Sequence, residues 1–169
     1  MAILKINTYG DAVLRQIAKP VSEVTPELQQ FARDMLETMY DAPGVGLAAP
    51  QVGQSIRLMV VDCSEEESEK QPLVFFNPEI IPESEIVCME EGCLSVPGIY
   101  ADVNRPEIIT VKAIDIDGNP FELNHIDGLL SRCIQHEVDH LNGLLFVDKL
   151  RPADKALFSS KLKKIAKGK

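Results

Sequence analysis

Two histidines four residues apart constrain this chain more than any other feature. They stand in His136-Glu137-Val138-Asp139-His140. On an α-helix, residues i and i+4 lie one above the other on one face. Both imidazoles then reach a single metal ion, and Glu137, one step round, is close enough to handle the proton of a metal-bound water. The surrounding pattern predicts such a helix from about Asp127 to Asn142, with Gly143 as its stop. The plain alternative is two core histidines beside a surface acid. If the pair does bind metal, the fold must bring in more ligands, because catalytic zinc-type sites use three protein ligands and keep one position open.

Several residues qualify as the third ligand. Cys133 precedes His136 by three and shares its helical face, although a cysteine there also reads as plain core. His125 lies before the helix and reads by default as a strand-end or surface residue. Asp139 and the downstream acids Asp148 and Asp154 remain open. Cys93 stands in Glu90-Glu91-Gly92-Cys93-Leu94-Ser95-Val96-Pro97. There Gly92 permits unusual backbone angles and Pro97 limits how far a strand runs, a plausible place to hold a thiolate.

The rest of the chain supplies the frame. Thr25-Pro26 is a good helix start, and Leu28, Phe31, Ala32, Met35, Leu36, Met39 and Tyr40 follow at helical spacing up to Pro43-Gly44. Ile56 to Asp62 and Leu73 to Asn77 read as strands, with the acidic segment from Ser64 to Lys70 as a solvated loop between them. Ile108 to Ile116 and Phe121 to Ile126 flank Asp117-Gly118, a hairpin signal. A lysine-rich helix at about 152–167 closes the chain. Helix, strands, then helices favour α+β, with antiparallel or mixed sheets packed around the central metal-binding helix.

Length and charge narrow the function classes. The 169 residues, 1–169, suit one domain. No apolar run is long enough to span a membrane, and the N-terminus lacks a basic region followed by an apolar stretch, so the expected location is the cytoplasm. The four cysteines, 63, 88, 93 and 133, are then expected as reduced thiols. Residues 151–169 carry seven basic side chains against Asp154 alone, although the whole chain has a net charge of −9. An acidic body argues against DNA binding. The basic tail reads first as a solvated helix face and second as an RNA contact.

Gly44-Val45-Gly46-Leu47-Ala48-Ala49-Pro50-Gln51 imitates a dinucleotide fingerprint. That motif needs a strand before it and a helix after it. Here a helix precedes and Pro50 interrupts, so a nucleotide site is rejected. The glycines are read as allowing close approach of backbone or substrate.

These three segments occur in the order found in peptide deformylases, and the chain resembles that family over its central two-thirds. The resemblance implies hydrolysis of the N-formyl group from the N-terminal formyl-methionine of nascent polypeptides, releasing formate. It implies Cys93, His136 and His140 as metal ligands with water in the fourth position. Fe²⁺ is the expected ion, and Zn²⁺, Ni²⁺ or Co²⁺ suit the same site. It gives Glu137 the proton transfers, and gives Gln51 and the backbone N–H of Leu94 the stabilisation of the oxyanion. Gly44, Val45, Gly46 and Gly92 are expected at the substrate. Contact between the basic C-terminal helix and the ribosome is a further expectation. A zinc metallopeptidase is the enzymatic rival, but no histidine follows His140 to complete its usual ligand set. A non-catalytic protein on the same scaffold is the other, and it is disfavoured because Glu137, Gln51 and the ligands are all present.

Overall fold

The structure, a computed structural model, describes residues 2–65 and 69–168. Residues 66–68, in the acidic segment expected to be a solvated loop, lie outside the described residues. The first helix, α1 (Pro26–Asp41), starts as the sequence predicts. Thr25 caps it by accepting a hydrogen bond from the Leu28 N–H, and Pro26 occupies the first turn.

Five strands form one antiparallel sheet: β1 (Gly46–Ala48), β2 (Leu58–Val61), β3 (Leu73–Pro82), β6 (Ile109–Ile114) and β7 (Pro120–Ile126), in the order β1-β2-β3-β6-β7. The remaining two, β4 (Ile86–Cys93) and β5 (Val96–Pro106), make a separate antiparallel hairpin. That hairpin was not expected from the sequence. β3 also runs beyond Asn77, through an irregularity between Phe76 and Glu79. Asn77 takes a positive φ of 52° there, and its side chain both donates to the Val21 carbonyl and accepts from the Val21 N–H. This pins the segment that leads into α1.

Period-two alternation explains how the sheet carries two layers. In β2, Leu58 and Val60 join Ala32, Met35 and Met39 of α1 in one apolar cluster. Met59 and Val61, facing the other way, join Ile134 and Leu141 of α2 (Gly128–Leu141) in a second. All four β2 side chains are buried, so the strand reads as a continuous apolar run. Burying a side chain of this size contributes about 1.5–3 kcal/mol before entropy is counted. The helix carrying His136 and His140 is therefore held against a sheet whose far face is covered by α1, which makes the fold α+β around a central helix.

A third cluster joins the hairpin to the end of the chain. Val96, Ile99 and Val103 of β5 pack on Leu145, Phe146, Val147 and Leu162. The segment read as one lysine-rich helix consists of two, α3 (Pro152–Leu157) and α4 (Ser159–Lys167), with Phe158 between them. Among the described residues, no helix is long and apolar enough to cross a membrane.

Candidate metal centre

Helix α2 supplies two of the converging groups and the end of β4 supplies the third. The Nε2 atoms of His136 and His140 lie 3.3 Å apart, and Cys93 Sγ lies 3.3 Å from His140 Nε2. All three ligand atoms fall within 4.8 Å of one another. An ion bound tetrahedrally at about 2.0–2.3 Å from each needs ligand atoms roughly 3.3–3.7 Å apart. The donor set fits as well, since two imidazole nitrogens and a thiolate suit a borderline-soft divalent ion. Burial, followed by the charge of His136, pushes the His140 pKa well below the ordinary value. The neutral imidazole that a ligand must be is thereby favoured.

The other candidate ligands stand elsewhere. Exposed His125 pairs with Glu83. Asp139 is held by Arg105 at 2.8 Å, Asp148 by Arg15, and Asp154 by Arg151 at 3.1 Å. Cys133 is buried and packs with Cys63 in the apolar cluster.

Around the cluster lies a layer that the sequence reading missed. Glu91, two residues before Cys93, is only 6% exposed at its side chain. It accepts from Arg105 Nε at 2.6 Å, Arg105 Nη2 at 2.9 Å, Arg132 Nη1 at 2.8 Å and His136 Nδ1 at 3.0 Å. Burial pushes its pKa up, but the hydrogen bonds from His136 and Arg105 and the charge of Arg105 outweigh this and hold it at about 2. An ionised carboxylate only accepts, so His136 donates from Nδ1 and its Nε2 faces the cluster. Burial lowers the His136 pKa, but contact with Cys93 and Glu91 holds it well above the ordinary value, and the Nε2 proton is the one that a bound ion would replace. Cys93 is also supported: the Ser95 N–H lies 3.4 Å from its sulfur and Gln51 Nε2 lies 3.7 Å away.

Gln51 is 1% exposed. It sits in a short 3₁₀ turn after β1, where its Oε1 accepts from the Ala48 N–H and its Nε2 donates to Ser95 Oγ. Glu137 is 3% exposed, and its Oε1 lies 4.0 Å from both histidine Nε2 atoms. Its Oε2 is buried and finds no hydrogen-bond partner among the described residues.

A cavity of about 660 Å³ opens onto this arrangement, and Gly44, Val45, Gly46, Gln51, Gly92, Leu94 and Glu137 all line it. Its size suits a small peptide end. For Gly92 the reason differs from the backbone freedom expected there. Gly92 does not need unusual backbone angles, because its φ is not positive. It needs space, since a Cβ there would stand 2.6 Å from the Tyr100 ring. At Gly46 a Cβ would stand 3.0 Å from Glu137 Cγ, and at Gly44 one would stand 2.8 Å from Leu94 Cδ1. Much of the close approach that these glycines permit is thus made by the protein's own side chains.

Comparison with known proteins agrees with this geometry. A family model described as Polypeptide deformylase matches residues 3–156. A peptide deformylase of Acinetobacter baumannii is 52% identical over 168 residues, covering 99% of this chain and 94% of that protein. The crystal structure of a peptide deformylase from Legionella pneumophila superposes with a TM-score of 0.90 at 50% identity, covering 98% of this chain and 96% of the other. One from Synechococcus elongatus, solved in complex with actinonin, gives a TM-score of 0.85 at 48% identity, covering 98% and 86%. With a match of this extent in both sequence and fold, the chain belongs to the polypeptide deformylase family, metal-dependent hydrolases that remove the N-formyl group from nascent peptides.

Proposed function

We propose that Cys93 Sγ, His136 Nε2 and His140 Nε2 hold the single divalent ion of this deformylase and that Glu137 carries its protons. One observation supports this reading above the others: a tight Cys-His-His cluster, of which Cys93 and His136 line the cavity, stands beside Glu137, which lines it too and has a buried carboxylate oxygen with no partner among the described residues. When bound, the ion supplies a Lewis acid that makes water nucleophilic near neutral pH. Fe²⁺ is the ion we assign first, and Zn²⁺, Ni²⁺ or Co²⁺ suit the same donors.

Burial raises the Glu137 pKa to about 7, against the opposing charges of His136 and Arg105. A carboxyl poised there accepts a proton and returns it at neutral pH. Oε2 is the atom we assign to that proton, taken from the attacking water and given to the departing amine nitrogen. Gln51 Nε2 and the Leu94 backbone N–H are assigned to the oxyanion that develops on the formyl oxygen. Aimed donors of this kind are worth about 2.7–4 kcal/mol each in other hydrolases. Ser95 and Ala48 hold the Gln51 amide in one orientation, which lowers the cost of reorganising it during reaction.

The substrate is assigned as an N-formyl-methionyl peptide. The methionine side chain enters beside Val45 and the wall of α2, and the peptide backbone passes Gly44, Gly46 and Gly92. We take residues 1–169 as one catalytic domain acting in the cytoplasm. Lys161, Lys163, Lys164 and Lys167 on α4 are exposed and are assigned to ribosome contact. Association that ignores salt, or that survives deletion of residues 152–169, overturns that assignment.

The deciding test is formate release from formyl-Met-Ala-Ser by anaerobically purified protein, with metal content measured on the same sample. Release that disappears in Glu137→Ala while the metal stays bound is the expected result. Fully metal-loaded wild-type protein that releases no formate overturns the catalytic assignment.

A further inference from the structure

Two thiols stand against the catalytic helix without a role in the reaction just described. Cys133 lies on α2, one turn before Glu137, and lines the cavity. Cys63 follows β2 by two residues. The alternation that turns Met59 and Val61 toward α2 also brings Cys63 into the apolar cluster that contains Cys133. The two side chains pack in one apolar cluster, and neither is in a disulfide.

We propose that Cys63 and Cys133 form a peroxide-responsive dithiol whose closure to a disulfide reversibly slows turnover at the adjoining metal centre. The effect on turnover rests on the catalytic roles assigned above, whereas the chemistry of the pair does not. Contact with Cys133 holds the Cys63 thiol below its ordinary range, although burial and the charges of Asp62 and Glu137 oppose this. Cys133 is pushed the other way, by its contact with Cys63 and then by burial. The thiolate is the reactive form, and Cys63 is the more exposed of the two sulfurs, so Cys63 reacts first.

The Cys63 sulfur attacks one oxygen of hydrogen peroxide and the O–O bond breaks. Cys63 becomes a sulfenic acid and the other oxygen leaves as water. The Cys133 sulfur then attacks the Cys63 sulfur, the S–O bond breaks, and a second water leaves with the Cys133 proton. Two thiols are oxidised to one disulfide, and one peroxide is reduced to two waters. Peroxide reaches the pair from half-exposed Cys63 and from the cavity lined by Cys133.

Closure draws the two sulfurs from packing in one cluster to about 2 Å. Cys133 is three residues from His136 and four from Glu137, so the pull falls on the helical face that carries both. Displacements of about 1 Å near a reacting centre cost on the order of a hundredfold in rate. A smaller shift, shared between helix and loop, is expected to lower kcat/KM about tenfold. Exposed Cys88 lies on the other hairpin, which makes it the internal control.

The test uses Ni²⁺-loaded full-length protein treated with a small excess of hydrogen peroxide. Free thiols are alkylated, and peptides are mapped by mass under non-reducing conditions. Turnover of the reduced enzyme is measured first and checks the catalytic assignment separately. The expected map shows the Cys63 and Cys133 peptides linked, with kcat/KM down about tenfold and restored by dithiothreitol. Cys63→Ser keeps the reduced enzyme's turnover and loses the thiol-reversible inhibition. Cys63 and Cys133 both remaining alkylatable overturns the proposal, and so does a link that leaves turnover unchanged. The wild-type map alone decides the first point, whatever the fate of the variant.

Discussion

The Glu91 carboxylate accepts from His136 Nδ1 at 3.0 Å, on the side of the ring away from the Cys93–His140 cluster. The same carboxylate pairs with the buried Arg105 and Arg132 guanidinium groups. One acid thus fixes the tautomer of a metal ligand and ties the β4–β5 hairpin, which delivers Cys93, to the helix that delivers the histidines. Partners of this kind typically change metal affinity about 10–100-fold. Glu91→Gln is expected to weaken metal binding within that range, measured by competition with a chelator on folded protein. Removing one partner from a buried ion pair is also expensive, about 3–5 kcal/mol, so the unfolding temperature should fall markedly. Metal affinity equal to wild type would remove Glu91 from the centre.

Glu137 leads to the opposite expectation for stability. Its Oε2 is buried without a partner among the described residues, and burial is the leading cause of its raised pKa. Glu137→Gln keeps the shape and removes an acid that burial disfavours. Turnover is expected to drop about 10²–10⁴-fold, the usual worth of a positioned acid or base. Metal content should be unchanged and the unfolding temperature no lower than wild type. A variant that loses its metal together with its activity would mean that Glu137 acts as a ligand and not as a proton carrier.

Gly46 faces the same side chain from β1. Adding a methyl group places a carbon 3.0 Å from Glu137 Cγ and 3.4 Å from its Oε2. Overpacking of this sort costs about 1–3 kcal/mol, and Glu137 must move to relieve it. Gly46→Ala is expected to lower kcat about tenfold with the metal retained, because displacement of a reacting group by a fraction of an ångström is felt in the rate. Steady-state formate release, paired with metal analysis, reads this directly. Normal kcat would show that Glu137 tolerates the shift.

Helices α1 and α2 were legible because each carries its own period and its own ends: Thr25-Pro26 for the first, Asp127 and Gly143 for the second. The two histidines were legible for the same reason, being i and i+4 on one helix. The β4–β5 hairpin was not. Cys93 pairs with Val96 across Leu94-Ser95, a turn without the Asn-Gly or Asp-Gly signal that marks the β6–β7 turn. Its strands also mix charged and apolar residues without clean alternation. The role of Glu91 was hidden by distance along the chain, since its partners Arg105, Arg132 and His136 lie 14, 41 and 45 residues away. Local periodicity carries no information about such contacts. The three glycine positions were marked as special in the sequence, but what fills the space beside them, Glu137, Leu94 and Tyr100, emerges only from packing.

Asp62, at the end of β2, provides a test of acid stability away from the metal. It is buried and accepts from Ser64 Oγ, the Ser64 and Gln71 N–H groups and Tyr40 OH. Burial raises its pKa, but these hydrogen bonds, led by that of the Ser64 side chain, outweigh burial and hold it below the ordinary aspartate value. A carboxylate depressed in the folded state contributes stability that is fully present above its unfolded pKa of about 3.9. That contribution falls as the pH drops below this point and is lost once the pH passes the folded-state value. The neutral amide of the variant Asp62→Asn stands in for the protonated acid at every pH. Wild type should therefore exceed Asp62→Asn in stability at pH 7, and the gap should close as the pH falls from about 4 toward 2. Urea unfolding of both proteins, metal-free, at several points in that window measures the gap. A difference that stays constant across it would mean that the Asp62 bonds stabilise the loop by shape alone and not by charge.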